Sequence, residues 1–246
     1  MGPRNLRLDL EYDGTRYHGW QRQANALTLQ ETIESALARL TGERVHLIGS
    51  GRTDAGVHAK CQVANFRTAS ALPLRAFIYG LNSLLPPDIA VLHAAEVPWD
   101  FHARKSARAK TYEYRLLNRP VRSPLSLRYA WQVAPPLALA AMEEAAWVLI
   151  GEHDFAAFQA SGSSVRTTRR RVEAAGWRRE GEFLIFRITA NGFLRGMVRS
   201  LVGTMVQIGL KKRPVADLAE LLVRSQRAQV GPTAPPQGLC LVEVRY

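Results

Sequence analysis

HLIGSGRTDAGVHAKCQVANF, residues 46–66, sets three glycines, an arginine, an acid and a histidine between two apolar, strand-like pieces, His46–Ile48 and Gln62–Phe66. Gly49, Gly51 and Gly56 permit tight backbone geometry between them. The stretch therefore reads as two consecutive strands, near 44–50 and 61–67, joined by a shaped loop. Upstream, Leu6, Leu8, Leu10 and Tyr12 alternate with Arg7, Asp9, Glu11 and Asp13, the period of a half-buried strand. Thr28 with Glu31 forms a capping-box pattern, and Leu29, Ile33, Leu37 and Leu40 make the apolar stripe of a helix. Downstream, a second helix is expected from Leu74 to Leu84, stopped by Pro86 and Pro87, and an apolar run from Ile89 to Val97 completes the unit.

The second half follows this order loosely. Strands are expected over Lys110–Leu117 and Tyr129–Val133, and a helix over Leu137–Ile150 ended by Gly151. Val172–Arg178 and Phe183–Thr189 read as a hairpin with Glu180 and Gly181 in its turn. Leu194, Met197, Val198, Leu201, Val202, Met205 and Ile208 give a strong helical stripe; a shorter helix starts at Pro214, and Leu239–Val244 is a last strand. No residue-level repeat accompanies this pattern. The mixture predicts an α+β protein with mainly antiparallel sheets covered on one face by helices.

A chain of 246 residues fits one large domain or two of about 120. Its 33 Lys and Arg against 21 Asp and Glu leave a net charge of +12, which calls for a polyanionic partner, nucleic acid or an anionic membrane surface. Only Lys60, Lys105, Lys110, Lys211 and Lys212 are lysines. Guanidinium groups fork onto phosphates and stack on bases, which favours nucleic acid, although thermal or codon bias produces the same composition. The opening MGPRNLRLDL has no apolar stretch of signal-peptide length, and no segment has the ~20 uninterrupted apolar residues of a membrane helix. A cytoplasmic protein is expected. Cys61 and Cys240 sit in apolar strand-like runs without a CxxC or a neighbouring His pair, so neither a disulfide framework nor a metal site is expected.

The cations cluster. Arg104, Lys105, Arg108, Lys110, Arg115, Arg119, Arg122 and Arg128 face a single acid, Glu113, and a second run, Arg166, Arg169, Arg170 and Arg171, follows the Gly and Ser-rich residues 161–164. Tyr112, Tyr114 and Tyr129 interleave with the first run, as a surface that tracks phosphates and stacks bases requires; strand tyrosines packed beneath a solvated face would leave the same pattern.

Inside GRTDAGVHA, Asp54 is the sole acid between Glu43 and Asp88, with Arg52, His58 and Lys60 close in sequence. A carboxylate beside cations stays ionised, which suits a nucleophile or an electrostatic stabiliser better than a general acid. An Asp among glycines is equally the residue of an Asx-turn, and composition alone does not choose between the two. His18, His58, His102 and His153 show no ligand spacing and are expected to be structural.

GRTDAGVHA resembles the active-site loop of the tRNA pseudouridine synthase A (TruA-type) family, in which the acid is catalytic. LEYDGTRYHGWQRQ, FHARKSARAKTYEY, GEHDFAAF, FLRGMVRSLVGTM and APPQGLCLVEVRY resemble further blocks of that family in the same order, whereas 166–171 and 211–237 are more individual to this chain. The resemblance implies that Asp54 is the acid acting on the target uridine, and that Tyr112 packs on the flipped base and assists proton removal. It implies likewise that Arg199 pairs with the catalytic carboxylate, with a phosphate as the competing partner, and that Arg52 displaces or holds the nucleotide. Arg195 and Arg199 lie on the flank of the helical stripe, where an arginine would be partly buried and would want an anion. Arg104, Lys105, Arg108, Lys110, Arg169 and Arg170 are the expected RNA contacts.

The implied fold is α+β, with two ferredoxin-like halves, 1–103 carrying the Asp loop and 104–246 carrying the Tyr strand and the Arg helix. Their sheets would join into one central sheet, with helices on one face and a basic cleft between the halves. The implied activity converts uridine to pseudouridine at positions 38, 39 and 40 of the tRNA anticodon stem-loop, in a homodimer. The exchange breaks N1–C1′ and joins C5 to the same carbon without redox change, so no cofactor or metal is expected, and no such motif is present. A base in a stem or loop is inaccessible until swung out, and stacking on an aromatic ring offsets part of that cost. Two rival readings share some of these features. A non-catalytic RNA-binding module would use the same Arg and Tyr surface, and a phosphate-transferring hydrolase could use a loop Asp but would need Mg²⁺ and further acids, which the sequence does not put nearby.

Overall fold

Leu6, Leu8 and Leu10 are fully buried along β1 (Arg4–Tyr12), as their alternation predicts. The computed structural model describes residues 2–160, 165, 167–224 and 229–246 of the chain; the 161–164 stretch and Arg166 of the second basic run lie outside them. The chain divides into two compact units, Met1–Arg108 with Leu241–Tyr246, and Ala109–Cys240.

The first unit continues with α1 (Leu29–Thr41), β2 (Ile48–Gly49), β3 (His58–Thr68), α2 (Leu74–Leu84) and β4 (Ile89–Val97). β1 pairs antiparallel with both β3 and β4, and β2 pairs antiparallel with β3 through Ile48 opposite Asn65. The order β4-β1-β3-β2 with two intervening helices is the ferredoxin-like arrangement. Ile33 and Leu37 of α1 and Phe77 and Leu81 of α2 are buried, and Phe77 meets Phe66 of β3 with ring centroids 5.8 Å apart. Each side chain of this kind removed from water contributes roughly 1.5–3 kcal/mol. Thr28 does occupy the N-cap of α1, but the expected capping box does not close. Its buried hydroxyl has no hydrogen-bond partner, and Glu31 turns to Arg22 at 3.4 Å.

The C-terminal strand β10 (Leu239–Arg245) lies beside β3 in this unit from Leu241 on. Its Arg245 carbonyl accepts from the Arg108 amide at 2.8 Å. The Tyr246 hydroxyl donates to the Ala103 carbonyl at 2.8 Å, and the Arg7 guanidinium lies 5.0 Å over the Tyr246 ring.

The second unit contains β5 (Ala109–Leu117), β6 (Trp131–Gln132), α3 (Leu139–Trp147), β7 (Gly151–Asp154), β8 (Arg169–Glu180), β9 (Phe183–Ala190), α4 (Met197–Gly209) and α5 (Ala216–Arg224). β5 pairs antiparallel with β9, β9 with β8 in a hairpin, and β8 with β7. The pairing β5–β9–β8 follows the same element order as β1–β3–β2 in the first unit. Met197, Leu201, Val202 and Met205 of α4 are buried, and the Trp177 indole N–H of β8 donates to the Met205 sulfur at 3.3 Å. Three local expectations change. The strand at 129–133 shortens to β6, the helix at 137–150 shortens to α3, and β7 follows it because Gly151, at φ +113°, turns the chain straight into pairing with Val172. Among the described residues, no helix is long and apolar enough to cross a membrane.

Candidate active site

The connection from β2 to β3, Ser50–Val57, is held in place by its backbone. The Ser50 amide donates to the Val63 carbonyl at 2.7 Å, and the Trp20 amide donates to the Thr53 carbonyl at 3.0 Å. Asp54–Val57 forms a turn closed by the Val57 amide on the Asp54 carbonyl at 3.1 Å, with Gly56 at φ +76° in its third position. A type II turn requires that positive φ, which is why a glycine stands there. The Gly56 amide donates to the Tyr17 carbonyl at 3.2 Å, so the loop is anchored on the far side of Asp54 too. The segment after β1 fits against the loop without space for side chains. A Cβ on Gly14 would lie 2.0 Å from the Val57 carbonyl oxygen, and one on Gly19 would lie 2.6 Å from that of Thr53.

This cradle leaves Arg52 exposed and Asp54 half-buried, while Thr53, Val57 and His58 are buried. His58 already belongs to β3. Its Nδ1 accepts from the Gly14 amide at 3.1 Å, which fastens the loop's exit to the segment after β1.

The remaining candidates for chemistry belong to the second unit. Tyr112 lies on β5 opposite Ile188, its ring buried and edge-on to Phe193 at 5.0 Å between centroids. Tyr114, two residues on, is a different kind of residue. It is fully buried, its hydroxyl donates to the Pro235 carbonyl at 2.7 Å, its ring abuts Gly238, and burial pushes its phenol above the ordinary tyrosine range. The interleaved tyrosines are therefore not one stacking surface: Tyr114 is core, Tyr112 is buried against Phe193, and Tyr129 is exposed. Arg199 stands in the first turn of α4, partly buried as the stripe predicts. Its Nε donates to the Ala234 carbonyl at 2.8 Å, and its own carbonyl accepts from the Ala234 amide at 3.1 Å. Sequence patterning does not single out Phe193; its signal is an aromatic at the head of FLRGMVRS, the block that carries Arg199.

The cations separate by what they already hold. Arg104, Lys105 and Arg108 are exposed in the first unit, and the Arg104 and Lys105 amides donate to His102 Nδ1 at 3.2 and 3.3 Å, shaping the turn that presents them. In the second unit Lys110 is half-buried on β5. Arg169 is exposed with its Nε 3.0 Å from Glu152 Oε1. Arg170 donates to the Thr167 and Arg169 carbonyls, and burial lowers its pKa. Arg119 is committed to the fold, with Nη1 2.8 Å from Glu182 Oε2 and Nε on the Val121 carbonyl. Exposed guanidinium and ammonium groups on a shaped turn suit phosphate binding, since neutralising phosphates releases counterions.

A ferredoxin-like first unit bearing an acid on a glycine loop, with an α+β second unit bearing a tyrosine strand and an arginine helix, belongs to a recognisable class. The family model described as tRNA pseudouridine synthase matches residues 10–104 and 145–246, and the chain belongs to that family. Within it, the chain is 51% identical over 99% of its length to tRNA pseudouridine synthase A of Geobacter sp. (strain M21), covering 99% of that protein. It is 47% identical over 99% of its length to tRNA pseudouridine synthase A of Thermoanaerobacter sp. (strain X514), covering 100% of it. A solved Cbf5-Nop10-Gar1 complex aligns with 96% of this chain and 48% of its own at 14% identity, with a TM-score of 0.36, a likeness too distant to bear on function.

Proposed function

We propose that this protein is a tRNA pseudouridine synthase that isomerises uridines 38, 39 and 40 of the anticodon stem-loop, with Asp54 as the nucleophile. The observation that carries this reading is the Asp54 loop, a half-buried carboxylate at the head of a glycine-dependent turn, clamped by backbone bonds on both sides. A reacting group has to be held near its productive geometry, and rigid anchoring of this kind supplies that.

In this reading the half made of residues 1–103 supplies the carboxylate, and the half made of 104–246 supplies Tyr112 and Arg199. The target uridine swings out and stacks on the Tyr112 ring, which Phe193 holds edge-on. The N1–C1′ bond breaks, the uracil turns, C5 bonds to C1′, and the C5 proton leaves to water with help from Tyr112, while N1 takes up a proton. Arg199 keeps the carboxylate ionised and oriented. Arg52 holds or displaces the nucleotide, and Arg104, Lys105, Arg108, Lys110, Arg169 and Arg170 meet the phosphates. The enzyme acts in the cytoplasm as a homodimer.

Incubation with a tRNA transcript tritiated at uracil C5, without any cofactor, is expected to release label to water. Asp54→Asn is expected to keep tRNA affinity and lose release; continued release by that variant removes the nucleophile role. Tight tRNA binding without release by the wild-type protein would leave a binding module in its place. Sedimentation of the protein alone reads the dimer directly.

A further inference from the structure

Beneath the Asp54 loop runs a chain of buried polar side chains that the proposed chemistry does not use. Tyr12 ends β1 and Gln62 lies in β3; Ser50 and Thr53 belong to the loop. Their exposures are 3%, 0%, 0% and 6%. Gln62 Nε2 donates to the Gly51 carbonyl at 3.0 Å and reaches the Tyr12 hydroxyl oxygen at 3.4 Å, while Gln62 Oε1 accepts from the Ser50 hydroxyl at 2.6 Å. The Tyr12 hydroxyl meets Thr53 Oγ1 at 2.9 Å. The Gln62 side chain of β3 thus holds the loop directly through Ser50 and Gly51, and the Tyr12 hydroxyl of β1 links Gln62 to Thr53.

Polar groups in a core are costly unless each is paired, so a network buried here stands in place of apolar packing that would be simpler to build. What it obtains is position. It grips residues 50, 51 and 53, which bracket Arg52 and adjoin Asp54, and it grips them from two strands hydrogen-bonded to each other. The backbone bonds fix the loop's outline; this network fixes its orientation against the sheet.

We infer that Tyr12, Thr53 and Gln62, with Ser50, are positioning residues for Arg52 and Asp54, an assignment that rests on the pseudouridine synthase reading. Removing one bond while keeping the shape slows the chemical step without weakening tRNA binding. The Tyr12→Phe and Thr53→Val variants of the full chain are each expected to lower the single-turnover rate of tritium release by about 10- to 100-fold, the scale of a misplacement of about 1 Å. The tRNA Kd is expected to stay within about twofold, since no phosphate-binding group is touched. Thr53→Ser, which keeps the hydroxyl, retains most of the rate. The double variant Tyr12→Phe with Thr53→Val is no slower than Tyr12→Phe alone, because Tyr12→Phe already removes the bond to Thr53.

Wild-type rates in both single variants overturn the inference, as does a loss confined to Kd or an additive double variant. Amide hydrogen exchange on the free protein gives a readout independent of turnover. Exchange at Trp20, Gly56 and Val57 is expected to speed up in Tyr12→Phe while the β1–β3 amides keep their protection; unchanged exchange at those three amides also overturns it. A wild-type protein that releases no tritium fails the parent reading instead, and the exchange comparison still decides whether the network orders the loop.

Discussion

The β2–β3 connection of the first unit and the β8–β9 connection of the second stand at the same place in two like element orders, and they are built differently. The second is a tight turn, Gly181–Glu182, with Gly181 at φ +59° and open space around its Cα. It closes a hairpin, and its Glu182 holds Arg119 at 2.8 Å and accepts from the Asn118 amide at 2.9 Å. The first runs from Ser50 to Val57, carries a charged pair, and is enclosed by Gly14, Gly19, Tyr12, Trp20 and Gln62. A hairpin is closed most economically by two residues. The additional length here brings no strand pairing of its own, and the neighbouring structure is committed to holding it still. The site proposed for this chain lies where local structure is longer than the fold needs and is also rigid.

That contrast can be broken most decisively at Asp54. Asp54→Asn is nearly isosteric and is expected to lower tritium release by at least about 10⁴-fold, the scale seen when a covalent catalyst is removed; filter binding to tRNA should be almost unchanged. Next in size is Gly14→Ala. With the Val57 carbonyl 2.0 Å from the added carbon, the loop or the segment after β1 must move. A loss of about 100-fold in release is expected, together with a lower melting midpoint. If that variant turns over normally, the cradle is not needed.

A smaller effect is expected from the paired variant Arg104→Ala with Lys105→Ala. It should weaken tRNA binding by about 10-fold at low salt and reduce the slope of log K against log salt by about 0.7 for each phosphate no longer neutralised, with the chemical step intact. Smallest is Gly181→Ala in the comparison turn. Placing a side chain at φ +59° with nothing nearby to clash should cost about 1 kcal/mol of stability in a thermal or denaturant melt and leave release unaltered. A loss of activity there would erase the distinction between the two connections.

Much of this molecule is legible in one dimension. The alternation of Leu6, Leu8 and Leu10, the stripe from Leu194 to Ile208 and the breaks at Pro86, Pro87 and Gly181 mark elements near their observed bounds, because burial on one face imposes its period on local sequence. The helix α4 nevertheless begins only at Met197, after Gly196. Boundaries and caps are less legible. Thr28 has the residue type of a capping box, yet its hydroxyl pairs with nothing, since Glu31 is drawn to Arg22 instead. Gly151 reads as a helix stop, but α3 already ends at Trp147, and only the partner strand reveals that Gly151 begins β7 instead. At the site, the residue types of the loop carry the family resemblance, but Phe193 and the network under Asp54 are not visible. Tyr12 and Gln62 look like ordinary strand residues until their partners, far away in sequence, are known.

The sequence by itself determined the element order apart from β7, the two connections with their contrasting glycines, the strongly basic charge and the motif blocks that tie the chain to its family. Those features depend on neighbours within a few positions, or on composition. Tertiary structure alone decided that the last six residues lie with the first unit, that Tyr114 is core while Tyr112 meets Phe193, and that Arg119 serves Glu182. Each of these turns on which groups a fold brings together across long stretches of chain. Identical residue types receive different roles there because hydrogen-bond partners and burial are properties of place, and place is set by packing.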